Sequence, residues 1–281
     1  MTRVQAANIS KAARGVLTLP DPRPEDIDFT RVREHDLEEI WEQERLPHVA
    51  ASYASRLGLL TRLLMGRAGP EARVLDVGCA QGTLGLLLAS RGYHVTLLDI
   101  RPGHIAYAKE RYGGSNVVFR VGRLEESLSS ETFDVIFLCE VIEHIRAPAD
   151  LLQAIRRRLK DAATLVVTTP NADFALGREP SYGNAFQSVV DEMDDASADG
   201  SDHRFAYSQA ELVSVVRASG FRVDETGFFV PFWLSGHLKT RYLYRLLGTH
   251  LTLRVGVPDF IGNSYLHRRL CSSQFLVARR R

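Results

Sequence analysis

Residues 74–82 read Val-Leu-Asp-Val-Gly-Cys-Ala-Gln-Gly, an apolar segment that runs into a turn containing two glycines. The apolar residues predict a buried strand, and the glycines predict a tight turn directly after it. Gly78 and Gly82 allow the backbone to bend sharply and to approach a ligand where a side chain would clash. The segment therefore predicts a strand, a ligand-binding turn and then a helix, since residues 84–91 continue with a helical pattern.

A second apolar segment, residues 94–98, follows this helix and ends at Asp99. A carboxylate about 20 residues after such a turn, at the end of the next parallel strand, can accept hydrogen bonds from both hydroxyls of a ribose. Asp76 lies inside the turn, where its charge would repel a pyrophosphate and would suit a cationic amino-acid group. These residues together predict a site for a nucleoside that carries a cationic amino-acid group and no phosphate.

This pattern resembles the class I S-adenosylmethionine-dependent methyltransferases, whose loop reads Asp-x-Gly-x-Gly-x-Gly. Asp76, Gly78 and Gly82 match that loop, and Ala80 replaces its middle glycine by the next smallest residue. The Gly-x-Gly-x-x-Gly fingerprint of nicotinamide sites does not fit the spacing. The resemblance implies that the cofactor is S-adenosylmethionine, that Asp76 orients its methionine end and that Asp99 holds its ribose.

The adenine end of the predicted site departs from the family pattern. Relatives often carry an acidic residue after the third strand, which accepts a hydrogen bond from the adenine amino group, but this chain has Arg123 there. The resemblance then leaves two alternatives open. Backbone groups at Arg123 and Leu124 hold the adenine, or the carboxylate of Glu125 does.

Strand and helix patterns alternate along the chain after residue 70. The predicted strands are Arg73–Val77, His94–Leu98, Val117–Val121, Val135–Leu138, Thr164–Thr168, Arg222–Val230 and Gln274–Ala278. The predicted helices between them are Leu84–Arg91, Gly103–Tyr112, Ala149–Lys160 and Ser208–Ser219, the last with a Ser208/Glu211 capping box. Near-continuous apolar strands separated by helices predict a parallel sheet covered on both faces. With the resemblance, the fold class is α/β: a seven-stranded Rossmann-like, mostly parallel sheet with an antiparallel last strand.

The other parts of the chain suggest how a substrate is recognised. Residues 1–30, with a proline-rich stretch, predict a flexible leader, and residues 31–66 predict helices that cover the site. Residues 67–281 form the predicted methyltransferase domain, with lid insertions at 171–207 and 231–272. Long insertions in a compact domain are usually functional lids or disordered segments.

Composition limits the cellular setting and the partners. The 281-residue chain has a formal net charge of +1 and 45% apolar residues, with no apolar run long enough to span a membrane. Three cysteines, an odd number, favour reduced thiols and a cytoplasmic enzyme. We expect a small-molecule or glycan acceptor, and the acidic run 191–202 disfavours RNA. Basic residues within 239–254 allow peripheral contact with a membrane, and the sequence makes no prediction of oligomeric state.

The residues with catalytic chemistry follow the fourth predicted strand. If the chain becomes helical there, Glu140, Glu143 and His144 share one face, where the methyl acceptor should lie. His144 is the predicted general base, oriented by an adjacent carboxylate, because an imidazole titrates close to neutral pH. Glu140 is also expected to contact the cofactor. The alternative is a purely structural role, in which His144 only orients its loop.

The same residues resemble the metal set of the small-RNA 2′-O-methyltransferases, which is Glu-x-x-Glu-His plus a later histidine. That resemblance implies a divalent metal held by Glu140, Glu143, His144 and His203. Ubiquinone-type and sugar O-methyltransferases carry similar segments without a demonstrated need for metal. The functional hypotheses are thus O-methylation of a small molecule or glycan, metal-assisted RNA 2′-O-methylation, and a non-catalytic S-adenosylmethionine-binding module.

Overall fold

The computed structural model describes residues 6–128, 130–177, 179–185, 205–234, 242, 246 and 260–281. Its strands are β1 (Arg73–Val77), β2 (His94–Asp99), β3 (Val117–Val121), β4 (Phe133–Cys139), β5 (Leu159–Pro170), β6 (Phe221–Pro231) and β7 (Cys271–Arg280). Its helices are α1 (Ala6–Val16), α2 (Ile27–Asp36), α3 (Pro47–Met65), α4 (Thr83–Ala89), α5 (Pro102–Glu110), α6 (Leu124–Ser127), α7 (Pro148–Arg158), α8 (Tyr182–Ala185), α9 (Gln209–Ala218) and α10 (Tyr265–Leu270). A π-helix at Leu37–Trp41 continues α2, and a 3-10 turn forms at Ile142–His144.

The strands form one seven-stranded sheet in the order β3-β2-β1-β4-β5-β7-β6. The pairs β1–β2, β2–β3 and β4–β5 are parallel, whereas β7 runs antiparallel to both β5 and β6. The predicted fold class is therefore confirmed. All seven predicted strands are present, although β5 is much longer than its apolar centre suggested.

Burial explains why the central strands have no polar face. Val135, Ile136, Phe137 and Leu138 are consecutive residues of β4, and each is at most 1% exposed. Successive side chains of a strand point to opposite faces, so a strand that is buried throughout is covered on both sides. Such a strand is a continuous apolar run in the sequence, which is why β4 could be located.

Backbone packing divides the chain into two compact units. Unit 1 comprises residues 1–129 and 232–260, and it contains α1 to α6 with β1 to β3. Unit 2 comprises residues 130–231 and 261–281, and it contains the remaining named helices and strands. The N-terminal helices thus pack together with the predicted cofactor turn in unit 1.

Within the segment 1–30, which was expected to be a flexible leader, the described residues begin with a packed helix. Helix α1 packs against α3, and its Ile9 and Ala13 are fully buried, followed by Leu17 at 4% exposure. These residues recur every four positions and therefore form one apolar face of a helix. Helix α2 then begins at Ile27, because the side chain of Asp26 caps it by accepting a hydrogen bond from an amide in its first turn.

The described ends of the predicted lid insertion 171–207 and the C-terminal end of the predicted insertion 231–272 lie in unit 2. Isolated β-bridges join Asn171 to Tyr207 and Ser181 to Ala206. Helix α10 belongs to the second insertion and leads directly into β7. Residues 186–204, which include His203 and the whole acidic run 191–202, lie outside the described residues.

Two further expectations concern the chain as a whole. All three cysteines are free thiols, as the odd count predicted. In the described ranges, no helix has both the length and the apolar character that crossing a membrane requires.

Candidate functional site

The turn after β1 has a backbone that only small residues tolerate. Gly78 and Gly82 have φ angles of 71° and 72°, and Ala80 between them has 46°. The amide of Gly78 donates to the carbonyl of Leu98 at 2.8 Å, which ties the turn to β2. A Cβ atom on Gly82 would lie 2.9 Å from a methyl of Leu97, so glycine is required by both conformation and space.

Asp99 binds the turn as well as ending β2. One oxygen of its carboxylate accepts from the amide of Ala80 at 3.0 Å, and the other accepts from the amide of Arg101 at 2.9 Å. The Nδ1 atom of His104 lies 3.2 Å from the first oxygen. Burial acts to raise the pKa of Asp99, but His104 and the two amides outweigh it and lower that pKa. The predicted ribose-binding residue is therefore ionised and held in one orientation.

Asp76 is in a different electrostatic state. Its side chain is buried, and burial followed by the negative charge of Asp99 raises its pKa to about 7, with only the amide of Gly85 acting in the opposite direction. A carboxyl of this kind is about half protonated at neutral pH. A cation placed beside it would favour the charged form and lower the pKa again.

Sequence reasoning missed a third carboxylate beside the turn. The π-helix places Glu39 so that its carboxylate accepts a hydrogen bond from the side-chain amide of Gln81, which also contacts the hydroxyl of Tyr53 at 3.2 Å. Burial raises the pKa of Glu39 to about 8, although the charge of Arg56 acts to lower it. The helical pattern of residues 31–66 could not reveal this contact, because a π-helix changes which side chains share a face.

Leu124 is the buried first residue of α6. The loop before it is tied to β2, because the amide of Gly122 donates to the carbonyl of Asp99 at 2.9 Å. This contact brings the backbone of the β3–α6 loop beside the predicted ribose site. The role of Leu124 in holding adenine stays a prediction.

In unit 2, two glutamates in the segment after β4 accept hydrogen bonds from consecutive threonines of β5. Glu140 has a φ angle of 55°, and its carboxylate accepts from the hydroxyl of Thr168 at 2.9 Å. Glu143 is fully buried, and its carboxylate accepts from the hydroxyl of Thr169 at 3.0 Å. His144 follows in the 3-10 turn and is half-buried.

The predicted common face for these residues is wrong. Thr168 and Thr169 are neighbours in a strand, so their side chains point to opposite faces of the sheet and hold the two carboxylates on opposite sides. Helical geometry also begins only at Ile142, because Glu140 has a left-handed backbone conformation. Left-handed backbone in a non-glycine residue costs free energy and is common at functional sites.

The three described members of the proposed metal set do not come together as a metal site either. Within the described part of the chain, no group of three or more His, Cys, Asp or Glu side chains is placed to hold a metal ion. His203, the fourth predicted ligand, lies outside the described residues. The separation of Glu140 from Glu143 by β5 is the physical reason that the described members do not fit a shared ion.

Tyr207 is a second residue that sequence reasoning missed. Its ring stacks on Tyr182 with 4.7 Å between centroids, and Phe205 packs edge-on to it at 5.6 Å. Burial raises the pKa of its hydroxyl, and the charges of Tyr182 and Glu143 add to that effect. This aromatic cluster closes one end of the predicted lid 171–207 in unit 2.

Comparison with known proteins decides the family. A family model described as "Methyltransferase domain" matches residues 43–226, which is well over half of the chain. The chain belongs to this methyltransferase family. The match includes the turn after β1, Asp99, Glu140, Glu143 and His144.

Curated relatives of this methyltransferase-family chain match part of its length. It is 38% identical over 108 residues to a ubiquinone biosynthesis O-methyltransferase of Xylella fastidiosa, covering 37% of this chain and 44% of the relative. It is 32% identical over 131 residues to the mitochondrial ubiquinone biosynthesis O-methyltransferase of Schizosaccharomyces pombe, covering 44% and 47%. The chain thus spans less than half the length of these relatives.

A solved structure shows the same fold over a longer stretch. An S-adenosylmethionine-dependent methyltransferase of Mesorhizobium loti superposes with a TM-score of 0.53 at 16% identity, covering 82% of this chain and 98% of that one. At this identity the likeness concerns the fold alone.

Proposed function

We propose that this chain is an S-adenosylmethionine-dependent methyltransferase that transfers the sulfonium methyl to a hydroxyl oxygen of a small molecule or glycan. The observation that carries the proposal is the turn Gly78–Gly82, which is tied to an ionised Asp99. Membership of the methyltransferase family supports the reaction class.

The charges of unit 1 support this cofactor over a dinucleotide. Asp76, Asp99 and Glu39 are three carboxylates on or beside the turn. Ionised Asp99 would repel a pyrophosphate, which is the group that a glycine turn binds in nicotinamide sites, whereas a cation beside Asp76 and Glu39 would favour their charged forms. Asp99 binds the ribose, the turn accommodates the methionine chain, and Asp76 with Glu39 faces its ammonium group.

The reaction is an in-line displacement in which the protein supplies alignment and a base. The acceptor oxygen attacks the methyl carbon, the carbon–sulfur bond breaks, and S-adenosylhomocysteine leaves as a neutral thioether. The hydroxyl proton passes to the imidazole of His144. Glu140 and Glu143, held by Thr168 and Thr169, fix the loop that carries this histidine.

The curated relatives support a small-molecule acceptor. Both are O-methyltransferases of ubiquinone biosynthesis. Cytoplasmic location and peripheral contact with a membrane stay predictions from the sequence.

A binding and transfer experiment tests the proposal. Isothermal titration of the full chain should show binding of S-adenosylmethionine and of S-adenosylhomocysteine. Radiolabelled methyl should then enter the small-molecule or glycan pool of a cell extract separated into RNA, lipid, glycan and small-molecule fractions. Absence of cofactor binding would overturn the whole proposal, whereas label confined to RNA would overturn only the acceptor class.

The role of His144 has its own test. His144→Ala should lower turnover by about a hundredfold or more, the usual contribution of a general base, and leave the cofactor affinity unchanged. His94→Ala is the matched control, because His94 is an exposed side chain at the start of β2. Full turnover in the His144 variant would assign the base elsewhere.

A further inference from the structure

One arginine joins three elements of unit 1 at the cofactor turn. Arg111 follows α5 and is fully buried. Its guanidinium donates to the carbonyl of Gln81 at 2.6 Å, to the hydroxyl of Thr83 at 2.7 Å and to the carboxylate of Asp36 at 2.7 Å. Gln81 lies in the turn, Thr83 begins α4, and Asp36 ends α2, so the arginine fixes all three to one another.

The carboxylate end of this contact is equally constrained. Asp36 is fully buried and also accepts from the hydroxyl of Tyr107 at 2.7 Å and from the indole of Trp41 at 2.9 Å. A buried ion pair with additional hydrogen bonds has little freedom to move, because displacing either partner leaves a charge uncompensated. Arg111 therefore has one position relative to α2.

Apolar packing joins the same elements independently. Phe29 and Val32 of α2 form a buried cluster with Tyr107 of α5, and the methyl of Ala80 packs against that cluster. The α2 and α5 backbones also approach closely, since a Cβ atom on Gly103 would lie 2.8 Å from the amide nitrogen of Phe29. The residue that replaces the middle glycine of the loop thus packs against a cluster to which α2 and α5 both contribute.

A turn of this composition needs such external contacts. Gly78 and Gly82 have the largest conformational freedom to lose, and Ala80 has a left-handed backbone that is unfavourable by itself. Contacts that hold the turn in its bound shape before the cofactor arrives reduce the entropy lost on binding.

We propose that Arg111 is a positioning residue for the cofactor turn and that cofactor affinity depends on α2 being packed against α5. The inference rests on the proposed function, in which this turn binds S-adenosylmethionine. Arg111 acts through the carbonyl of Gln81 and the hydroxyl of Thr83, which set the direction of the turn and the start of α4. Because Asp36 of α2 holds the guanidinium of Arg111, the position of α2 determines the position of the arginine.

Titration of the full chain with S-adenosylmethionine tests the role of Arg111. Arg111→Met should raise the dissociation constant by about tenfold or more, and Arg111→Lys should raise it less, because lysine keeps the charge but not the three-way geometry. Arg156→Met is the matched control, since Arg156 also donates to a backbone carbonyl, that of Gly220 in unit 2. Both arginine variants are compared at a temperature at which they remain folded. A smaller loss of affinity in Arg111→Lys than in Arg111→Met then reflects the positioning of the turn and not a general loss of stability.

A second pair of variants tests the role of α2 without changing the arginine. Gly103→Ala places a methyl against Asp26 and the amide of Phe29, and it should weaken cofactor binding by about threefold to tenfold. Gly113→Ala, where nothing lies within 4 Å of the added atom, should leave binding unchanged.

The outcomes separate the two proposals. A wild-type chain that does not bind the cofactor would overturn the proposed function. A wild-type chain that binds it, with unchanged affinity in a folded Arg111→Lys and Arg111→Met, would overturn this inference alone. If neither arginine variant folds, unchanged affinity in Gly103→Ala would overturn it.

Discussion

The side chain of Asp99 connects the cofactor turn to the predicted ribose site. Its two oxygens hold the amides of Ala80 and Arg101, so substitution removes contacts to the turn as well as to the ligand. Asp99→Asn should raise the dissociation constant for S-adenosylmethionine about tenfold to a hundredfold, since hydrogen bonds to charged groups contribute about 1.5–3 kcal/mol. Isothermal titration measures this change. Asp134→Asn, which breaks an ion pair with Lys160 in unit 2, is the control, and equal affinities in both variants would contradict the assignment.

Glu39 gives the cofactor-free protein a particular dependence on pH. Its pKa is raised from 4.5 to about 8 in the folded state, so folding favours its protonated form. The resulting stabilisation is complete below pH 4.5 and is lost as the pH rises through about 8, at up to about 1.4 kcal/mol per pH unit. Asp76, raised to about 7, acts in the same direction.

Urea unfolding at pH 5 and pH 8 checks this dependence. The free energy of unfolding should fall less between the two pH values in Glu39→Gln than in the wild type. Glu126→Gln changes an exposed carboxylate of α6 and serves as the control. A Glu39→Gln protein with the same pH dependence as the wild type would show that this carboxyl has an ordinary environment.

At the scale of elements, the start of α9 is determined by its cap. The Ser208 hydroxyl accepts from the amide of Glu211, and the Glu211 carboxylate accepts from the amide of Ser208. Ser208→Ala should lower the free energy of unfolding by about 1 kcal/mol, measured by urea titration. Ser214→Ala, at an exposed position of the same helix, should have little effect. Equal stability of both variants would mean that the cap contributes nothing.

For the whole molecule, cofactor binding should raise the resistance to unfolding. A ligand that binds only the folded state stabilises it by about 2.7 kcal/mol at a hundred times its dissociation constant. Thermal unfolding followed with and without S-adenosylhomocysteine should therefore show a higher midpoint with the ligand. The Asp99→Asn protein should show a smaller increase in the midpoint at the same ligand concentration. An equal increase would mean that Asp99 does not contribute to the stabilisation by the ligand.

The sheet and the cofactor turn were predictable because their signals are local. Continuous apolar runs located β1 and β4, and glycine with Asp76 located the turn. Arg111 and Asp36 could not be paired in advance, because they lie 75 residues apart and each resembles an ordinary surface charge. The left-handed backbone of Glu140 likewise has no recognisable sequence pattern. The prediction that Glu140, Glu143 and His144 share one helix face was therefore wrong.

The buried pair of Asp36 and Arg111 also determines where this polypeptide can be shortened. The family match begins at residue 43, which makes that position an obvious place to cut. A fragment starting there would keep Arg111 and lose Asp36, Trp41 and the apolar face of α2. It would have to bury a guanidinium without a counter-charge, at a cost of about 3–5 kcal/mol. The smallest fragment that preserves the turn therefore starts before Asp26, upstream of the first residue of the family match.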